Sequence, residues 1–316
     1  MSTQPSLKNI PLSSINITPH WSIHPFLDDT PSATLNQSFT ETGILHPPIV
    51  QQAHDGTFNL ICGRKRLYAL KHYFNQTSFP CLIIQPALDP YTFFLYILTD
   101  QQLNGPLSPI EIAIFVKYCL DKMDEKEVTN LFLPRLGYKK QAFLIQQLVS
   151  LLSLDETIQR QIHHGLIVDK IAFELLILPP EDRFCLSSLF ELLQPGTGKQ
   201  KRILTLSRDI ANRSQKTISS LFQEQDFKHI VEHQEMNPPQ KTHALLELLQ
   251  KEFYPRSSVA EHDFKDKARR LNLPDNYELT HSLNFEKNEV YLTVTFPDLE
   301  NCENAWTQKN GLRKKT

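Results

Sequence analysis

Three consecutive cations follow a glycine at Gly63-Arg64-Lys65-Arg66, an order suited to holding an anion. Glycine lets a backbone approach a ligand closely. The residues after it read as a helix, because Leu67, Leu70 and Phe74 recur at i, i+3 and i+7. The free N–H groups of a helix's first turn and the positive end of its dipole favour negative charge. Arg64, Lys65 and Arg66 oppose that dipole, and an anionic partner, phosphate above all, resolves the conflict. A solvated basic turn before an amphipathic helix accounts for the same triplet, so the flanking sequence has to decide.

The elements that must position this turn are legible on either side. Ile49 and Val50 form a short apolar run between Pro48 and a turn at His54-Asp55-Gly56. Phe58, Leu60 and Cys62 alternate with Thr57, Asn59 and Ile61, giving strand, turn and strand up to Gly63. Upstream, Thr30-Pro31 reads as the start of a helix with Leu35 and Phe39 on one face and Gly43 at its end. Ile10, Leu12, Ile15 and Ile17 predict a short strand after a loose stretch over 1–9, and Trp21 and Phe26 lie in a Pro-containing loop. A third strand is expected over Phe79–Ile84, and Asp89-Pro90 starts a helix carrying Phe94, Leu95 and Leu98. Together these make a small α/β unit of about a hundred residues.

Thr-Gly-Ile-Leu-His-Pro-Pro-Ile-Val, ending at Val50, followed by Ile-Cys-Gly-Arg-Lys-Arg-Leu-Tyr-Ala-Leu, ending at Leu70, resembles the amino-terminal domain of ParB chromosome- and plasmid-partition proteins. In that family a Gly-Ile-Leu-Gln-Pro-type segment precedes a Gly-Glu-Arg-Arg-x-Arg box that binds the phosphates of CTP. Gly63, Arg66 and Ala69 keep the pattern. Arg64 stands in place of Glu, Lys65 of Arg, Tyr68 of the last Arg, and His46 of Gln. The resemblance implies a site for CTP with Mg²⁺ built from Gly43, His46, Pro47, Gly63, Arg64, Lys65 and Arg66, and leaves CTP hydrolysis open. Further on, Leu107, Pro109, Ile110 and Glu111 match the family's Leu-x-Pro-Ile-Glu, while Asp100 and Gln101 replace the acid and amide used around magnesium and nucleotide. Asp100 is the candidate metal ligand, with a surface acid near a helix end as the alternative.

Ser108-Pro109-Ile110-Glu111 is also a capping box with Pro at the first helical position, and it opens a helical region. Ile110, Ile114 and Tyr118 form one stripe, Val128, Leu131, Phe132 and Leu136 another, and Phe143, Leu144, Leu148, Leu151 and Leu152 a third. Two helices joined at Leu136-Gly137-Tyr138, the first interrupted by Pro134, suggest a helix-turn-helix. Its second helix would carry Lys139, Lys140, Gln141, Gln146 and Gln147, residue types that meet phosphates and base edges; a helical hairpin with a solvated polar face is the alternative. The later Leu151-Leu152-Ser153-Leu154-Asp155, His164-Gly165-Leu166-Ile167 and Leu178-Pro179-Pro180 follow the order of ParB segments. His163-His164 could suggest a metal, but adjacent helical residues point apart, and a structural role is expected.

Residues 194–200 read as a linker, and six cations lie between Gly196 and Lys216, among them Lys201 and Arg202, against Asp209 alone. With Ile203, Leu206 and Ile210 buried, these cations would face a DNA backbone or solvent. Helix continues to Gln250, interrupted at Asn237-Pro238-Pro239 and ending at Tyr254-Pro255-Arg256. Val259, Phe264, Ala268 and Leu271 predict one more helix. Tyr277 to Phe285 and Val290 to Phe296 alternate around a turn at Glu286-Lys287-Asn288-Glu289, a β-hairpin, and Leu299, Cys302 and Trp306 follow at helical spacing. A lone hairpin must pack on something. ParB carboxy-terminal domains, which dimerise, resemble this arrangement; packing on its own helical domain is the other choice. Lys309, Arg313, Lys314 and Lys315 give a basic, disordered end.

The expected fold class is α+β, with boundaries at 1–105 (nucleotide binding), 106–195 (helix-turn-helix), 196–270 (helical and partly basic) and 271–316 (hairpin and helix, dimerising). A formal charge of −2 over 316 residues excludes a uniformly basic coat and leaves local patches for DNA. Five scattered cysteines without a C-x-x-C pair argue against a zinc site or disulfide framework, and no apolar run reaches spanning length. The resemblance implies a bacterial cytoplasmic, nucleoid-associated partition protein that binds duplex DNA and CTP as a switchable clamp, as a homodimer working with a ParA-type ATPase. Two alternatives stand beside it: a transcription regulator indifferent to nucleotide, and a nuclease or sulfiredoxin-like enzyme of the same superfamily. For the last, Cys62 lies about two positions early for a catalytic thiol.

Overall fold

The computed structural model describes residues 5–18, 21–26, 30–74, 76–103, 105–282 and 289–305, with side chains described throughout these except over 255–262. The chain is α+β and divides into two compact units, 1–197 and 198–316.

The first unit opens with strand β1 (Ser6–Pro11), a 3₁₀ turn over Leu12–Ser14 and the two-residue strand β2 (Ile15–Asn16). The stretch expected to be loose is therefore strand from Ser6 onward; β1 is an edge strand held along its length by β5. Helix α1 (Ala33–Thr42) is capped by Ser32, whose side chain accepts from the Leu35 N–H, and not by Thr30 as the sequence suggests. Gly43 closes it by donating its N–H to the Phe39 carbonyl. Strands β3 (Ile49–Gln52) and β4 (Phe58–Cys62) pair antiparallel, and helix α2 (Arg64–His72) and strand β5 (Ser78–Ile84) follow. The sheet order is β1-β5-β3-β4-β2, with β5 parallel to β3 and β4 parallel to β2. Val50, Leu60, Phe79 and Cys81 on the sheet pack with Leu67 and Leu70 of α2 and Phe39 of α1 into one apolar core.

Asp89 caps helix α3 (Pro90–Gln102) through the Thr92 N–H, with Pro90 in its first turn. Helix α4 (Pro109–Leu120) starts at the expected capping box and is central to the unit, with Ile110, Ala113, Phe115, Val116 and Cys119 fully buried. Around it lie α5 (Glu125–Leu131), a 3₁₀ turn over Leu133–Leu136 at Pro134, α6 (Ala142–Ser150), α7 (Glu156–His163), α8 (Asp169–Leu176) and α9 (Pro180–Leu193). Helix α6 begins at Ala142, so Lys139, Lys140 and Gln141 occupy the turn before it. Its buried residues are Ile145 and Leu148, while Phe143, expected in the apolar stripe, is 56% exposed.

Helix α10 (Thr197–Ser214) begins at the last residue of the first unit and carries the chain into the second, so the expected linker is helical from Thr197, and Gln200 is buried. Ile203, Leu206 and Ile210 are buried as their spacing predicts. Helices α11 (Ile218–Phe222), α12 (Gln225–Glu232), α13 (Pro238–Phe253) and α14 (Pro255–Arg270) follow, α13 opening on an Asn237 capping box. Strands β6 (Tyr277–His281) and β7 (Val290–Val294) pair antiparallel as a hairpin, and a helical stretch spans 299–305. Leu283, Phe285, the 286–288 part of the turn, Trp306 and the basic end lie outside the described residues. Val290, Tyr291 and Leu292 are each about half exposed.

Gly63 sets the path from β4 into α2. Its φ is +97°, and a Cβ there would sit 3.0 Å from the Pro48 Cα and from the Arg66 Nε. Gly56, also at positive φ, has nothing within 4 Å of a Cβ. Gly63→Ala is therefore expected to cost about 1–3 kcal/mol of left-handed strain plus the collision with Pro48, and Gly56→Ala the strain alone. Equal losses in thermal melts of the two variants would contradict the close approach.

Candidate functional site

The site is built around the turn that begins α2. Gly63 in the left-handed conformation ends β4, and Arg64 and Lys65 open the helix beside Pro48. Arg66, one turn in, points back across the sheet end. Its Nη1 donates to the His46 carbonyl at 2.8 Å, and its Nη2 lies 2.8 and 2.7 Å from the two oxygens of Asp100 near the end of α3. The two side chains are 14% and 9% exposed. One ion pair thus ties α2, the entry to β3 and α3. Breaking such a pair from one side leaves a buried charge and typically costs about 3–5 kcal/mol.

A cavity of about 730 Å³ opens over this turn. Its floor includes Cys62, Gly63, Arg64, Lys65, Arg66 and Asp100; Leu35, Ser38 and Phe39 of α1 form one wall, with Leu45 and His46 beyond. Residues 21–26 form another. Trp21 packs edge-on against Phe93 at 5.1 Å and Tyr118 at 5.6 Å, and the Tyr118 hydroxyl donates to the Ser22 carbonyl. His24 Nδ1 lies 2.7 Å from Glu111 Oε1. The Arg160 guanidinium stacks 3.9 Å over the Phe26 ring, which also meets His163 edge-on. His163 in turn lies 2.9 Å from the Ser108 hydroxyl. The loop is thereby strapped to α4 and α7.

Burial works against the Glu111 carboxylate, but the His24 hydrogen bond and the Ser108 N–H outweigh it and hold its pKa below the ordinary value. Burial lowers the His163 pKa; Glu111 opposes this, and His164 and His24 reinforce it, so the ring is neutral near pH 7. Burial, then the neighbouring Asp100 carboxylate, push the Cys62 thiol far up, with Arg66 opposing. A thiol so held is inert as a nucleophile.

The site residues expected from the sequence come together in part. His46, Gly63, Arg64, Lys65, Arg66 and Asp100 line one cavity; Gly43 caps α1, and Pro47 lies in the segment that receives Arg66, 3.5 Å from its Nη1. Glycine against Pro48, two cations at a helix start and an apolar wall of Trp21, Phe26 and Phe39 fit a phosphate carrying an aromatic base. The same residues do not fit a divalent cation. Both Asp100 oxygens are held by Arg66, and among the described residues no three His, Cys, Asp or Glu side chains gather closely enough to bind a metal. His24, Phe26 and His163 were not expected at the cavity. The Ser108 capping box marks Glu111, but nothing local marks a partner 87 residues away.

Of the expected DNA-binding residues in the first unit, Lys139, Lys140 and Gln141 are exposed in the turn before α6. The Tyr138 hydroxyl holds that turn by donating to Asp169 at 3.0 Å. Gln147 is half-buried, and Gln146 donates to Glu125 at 3.1 Å. In the second unit, Lys201 and Arg202 are exposed on α10.

The amino-terminal part of the chain is thus an α/β domain whose mixed sheet carries a glycine-led, cation-bearing helix start beneath an open cavity. Residues 1–90 match the family model described as the ParB N-terminal domain. Two similar solved structures are of the C-terminally truncated chromosome-partitioning protein ParB from Caulobacter crescentus. The one complexed to the centromeric parS site is 16% identical, covers 58% of this chain and 91% of that chain, and has a TM-score of 0.35. The one complexed with CTP-gamma-S is 16% identical, covers 58% and 98%, and has a TM-score of 0.25. No curated protein matches the chain.

The Glu111 geometry has a pH signature. A carboxylate whose folded pKa is depressed stabilises above its unfolded pKa and loses that contribution as pH falls through the folded value. Glu111→Gln is expected to cost about 1–3 kcal/mol at neutral pH, from lost charge-assisted hydrogen bonds. The deficit should shrink in melts below the ordinary carboxylate range; a deficit independent of pH would remove the charge from the account.

Proposed function

We propose that this is a ParB-like DNA-binding protein acting in chromosome or plasmid partition, with a nucleotide, CTP in the first instance, in the cavity over Gly63. The observation that carries the reading is the close approach of Gly63 to Pro48 beside Arg64 and Lys65, within residues that match the ParB N-terminal domain. Gly63, Arg64 and Lys65 contact phosphate; His46, Pro47 and Gly43 shape the mouth; Arg66 holds the His46 carbonyl in place. A nucleotide bound there would supply the anionic charge that this helix start favours. The relative from Caulobacter crescentus complexed with CTP-gamma-S supports CTP as the first ligand to try.

Lys139 and Lys140, with Gln141 beside them, present cations and an amide at the start of α6, which suits duplex backbone contact more than base readout. The functional division follows 1–105 for nucleotide, 106–195 for a helix-turn-helix on DNA, 196–270 for a helical connection whose Lys201 and Arg202 add phosphate contacts, and 271–316 for pairing of two copies through the hairpin. The half-exposed Val290, Tyr291 and Leu292 support that last assignment. Nucleotide would bias a clamp between open and closed forms through the 21–26 strap, which touches both the cavity and α4 and α7. The protein would act in the bacterial cytoplasm at the nucleoid, with a ParA-type ATPase.

A second reading is a regulator that binds DNA without nucleotide. The engagement of Arg66 by Asp100 and His46 favours it, because one cation expected at phosphate is already occupied. Competition of unlabelled CTP, ATP, GTP and UTP against labelled CTP, with and without duplex DNA, separates the two. The first reading predicts CTP-selective binding that tightens on DNA. Folded protein that binds duplex DNA equally with or without every nucleotide would replace it with the second.

A further inference from the structure

We propose that the cavity over Gly63 neutralises its ligand's phosphates with Arg64 and Lys65 and takes up no divalent cation, with Asp100 acting instead as the positioning partner of Arg66. The inference rests on the nucleotide reading and deepens it.

Magnesium demands near-octahedral oxygen ligands and is usually held by one or two carboxylates together with substrate phosphates. The described lining of the cavity offers a single carboxylate, Asp100. Both its oxygens already accept from the Arg66 guanidinium, at 2.8 and 2.7 Å, with both side chains nearly buried. Its remaining neighbourhood includes Cys62, a thiol that burial first, and Asp100 second, keep protonated. A cation on Asp100 would sit within a few ångströms of the guanidinium, a like-charge contact with little solvent to screen it. Drawing the carboxylate away would strand Arg66, which also holds the His46 carbonyl that shapes the mouth. The other two cations of the lining, Arg64 and Lys65, occupy the first two positions of α2, the end of a helix that favours negative charge. Charge compensation by two side chains and a helix start leaves no role for a metal.

The test uses the full chain and labelled CTP, titrated in excess Mg²⁺ and in EDTA. Metal-free CTP carries more negative charge than its magnesium complex, so affinity in EDTA should be equal or higher. Arg64→Ala and Lys65→Ala should each weaken binding about ten-fold or more in either medium, the loss of one charge-assisted contact. Asp100→Asn should lower the melting temperature of the ligand-free protein by the same amount in both media. A ten-fold or greater loss of wild-type affinity in EDTA overturns the proposal. So does an Asp100→Asn variant that melts like wild type but binds only weakly in Mg²⁺. Folded protein that binds CTP in neither medium overturns the nucleotide reading itself, an outcome distinct from magnesium-dependent binding.

Discussion

The Arg66–Asp100 pair is the constraint on which the amino-terminal unit depends. Its bidentate contact joins the first helix after the glycine turn to the end of α3, and its second hydrogen bond fixes the chain at His46. A nearly buried guanidinium is tolerable only while those acceptors stay in place. Gly63, Pro48 and the His46 segment are therefore not independent features. Gly63 must lack a side chain because Pro48 and Arg66 both press on the space a Cβ would fill. The cavity floor is held by charge and by steric fit together.

The strap over 21–26 extends that order into the helical part of the same unit. Trp21 joins an edge-to-face aromatic cluster with Phe93, Phe94 and Tyr118. His24, Phe26 and His163 carry polar and stacking contacts onward to Glu111, Ser108 and Arg160. Any ligand under the strap shares a wall with α7 through His163. The coupling of nucleotide to DNA proposed above needs such a shared wall, since a ligand shifts an equilibrium only through contacts that differ between its two states.

Local periodicity and capping made the elements legible. The strand–turn–helix at β3, β4 and α2, the Asp89 and Ser108 caps, and the buried face of α10 follow from residues within a few positions of one another. Long-range pairing was the part that did not read out. Nothing near Ser6 says that β5 completes its strand, and nothing near Arg66 says that Asp100, 34 residues on, takes its guanidinium. Both were visible only as a charged residue or a polar stretch. Phe143 was misread because apolar spacing continues through it while the neighbouring helices leave that position exposed. The Gly63 turn itself was legible as a strand-to-helix junction from its residue types, and the family resemblance agrees with the match over residues 1–90.

Amide hydrogen exchange of the full chain with and without CTP tests the central claim most directly. The first-turn N–H groups of an α-helix have no i−4 carbonyl within the helix, so a ligand that engages them slows their exchange. The account expects CTP to slow exchange in peptides spanning Gly63 to Leu67 and in those carrying the 21–26 strap. Protection confined to other regions, with the Gly63 turn unchanged at saturating CTP, would contradict it.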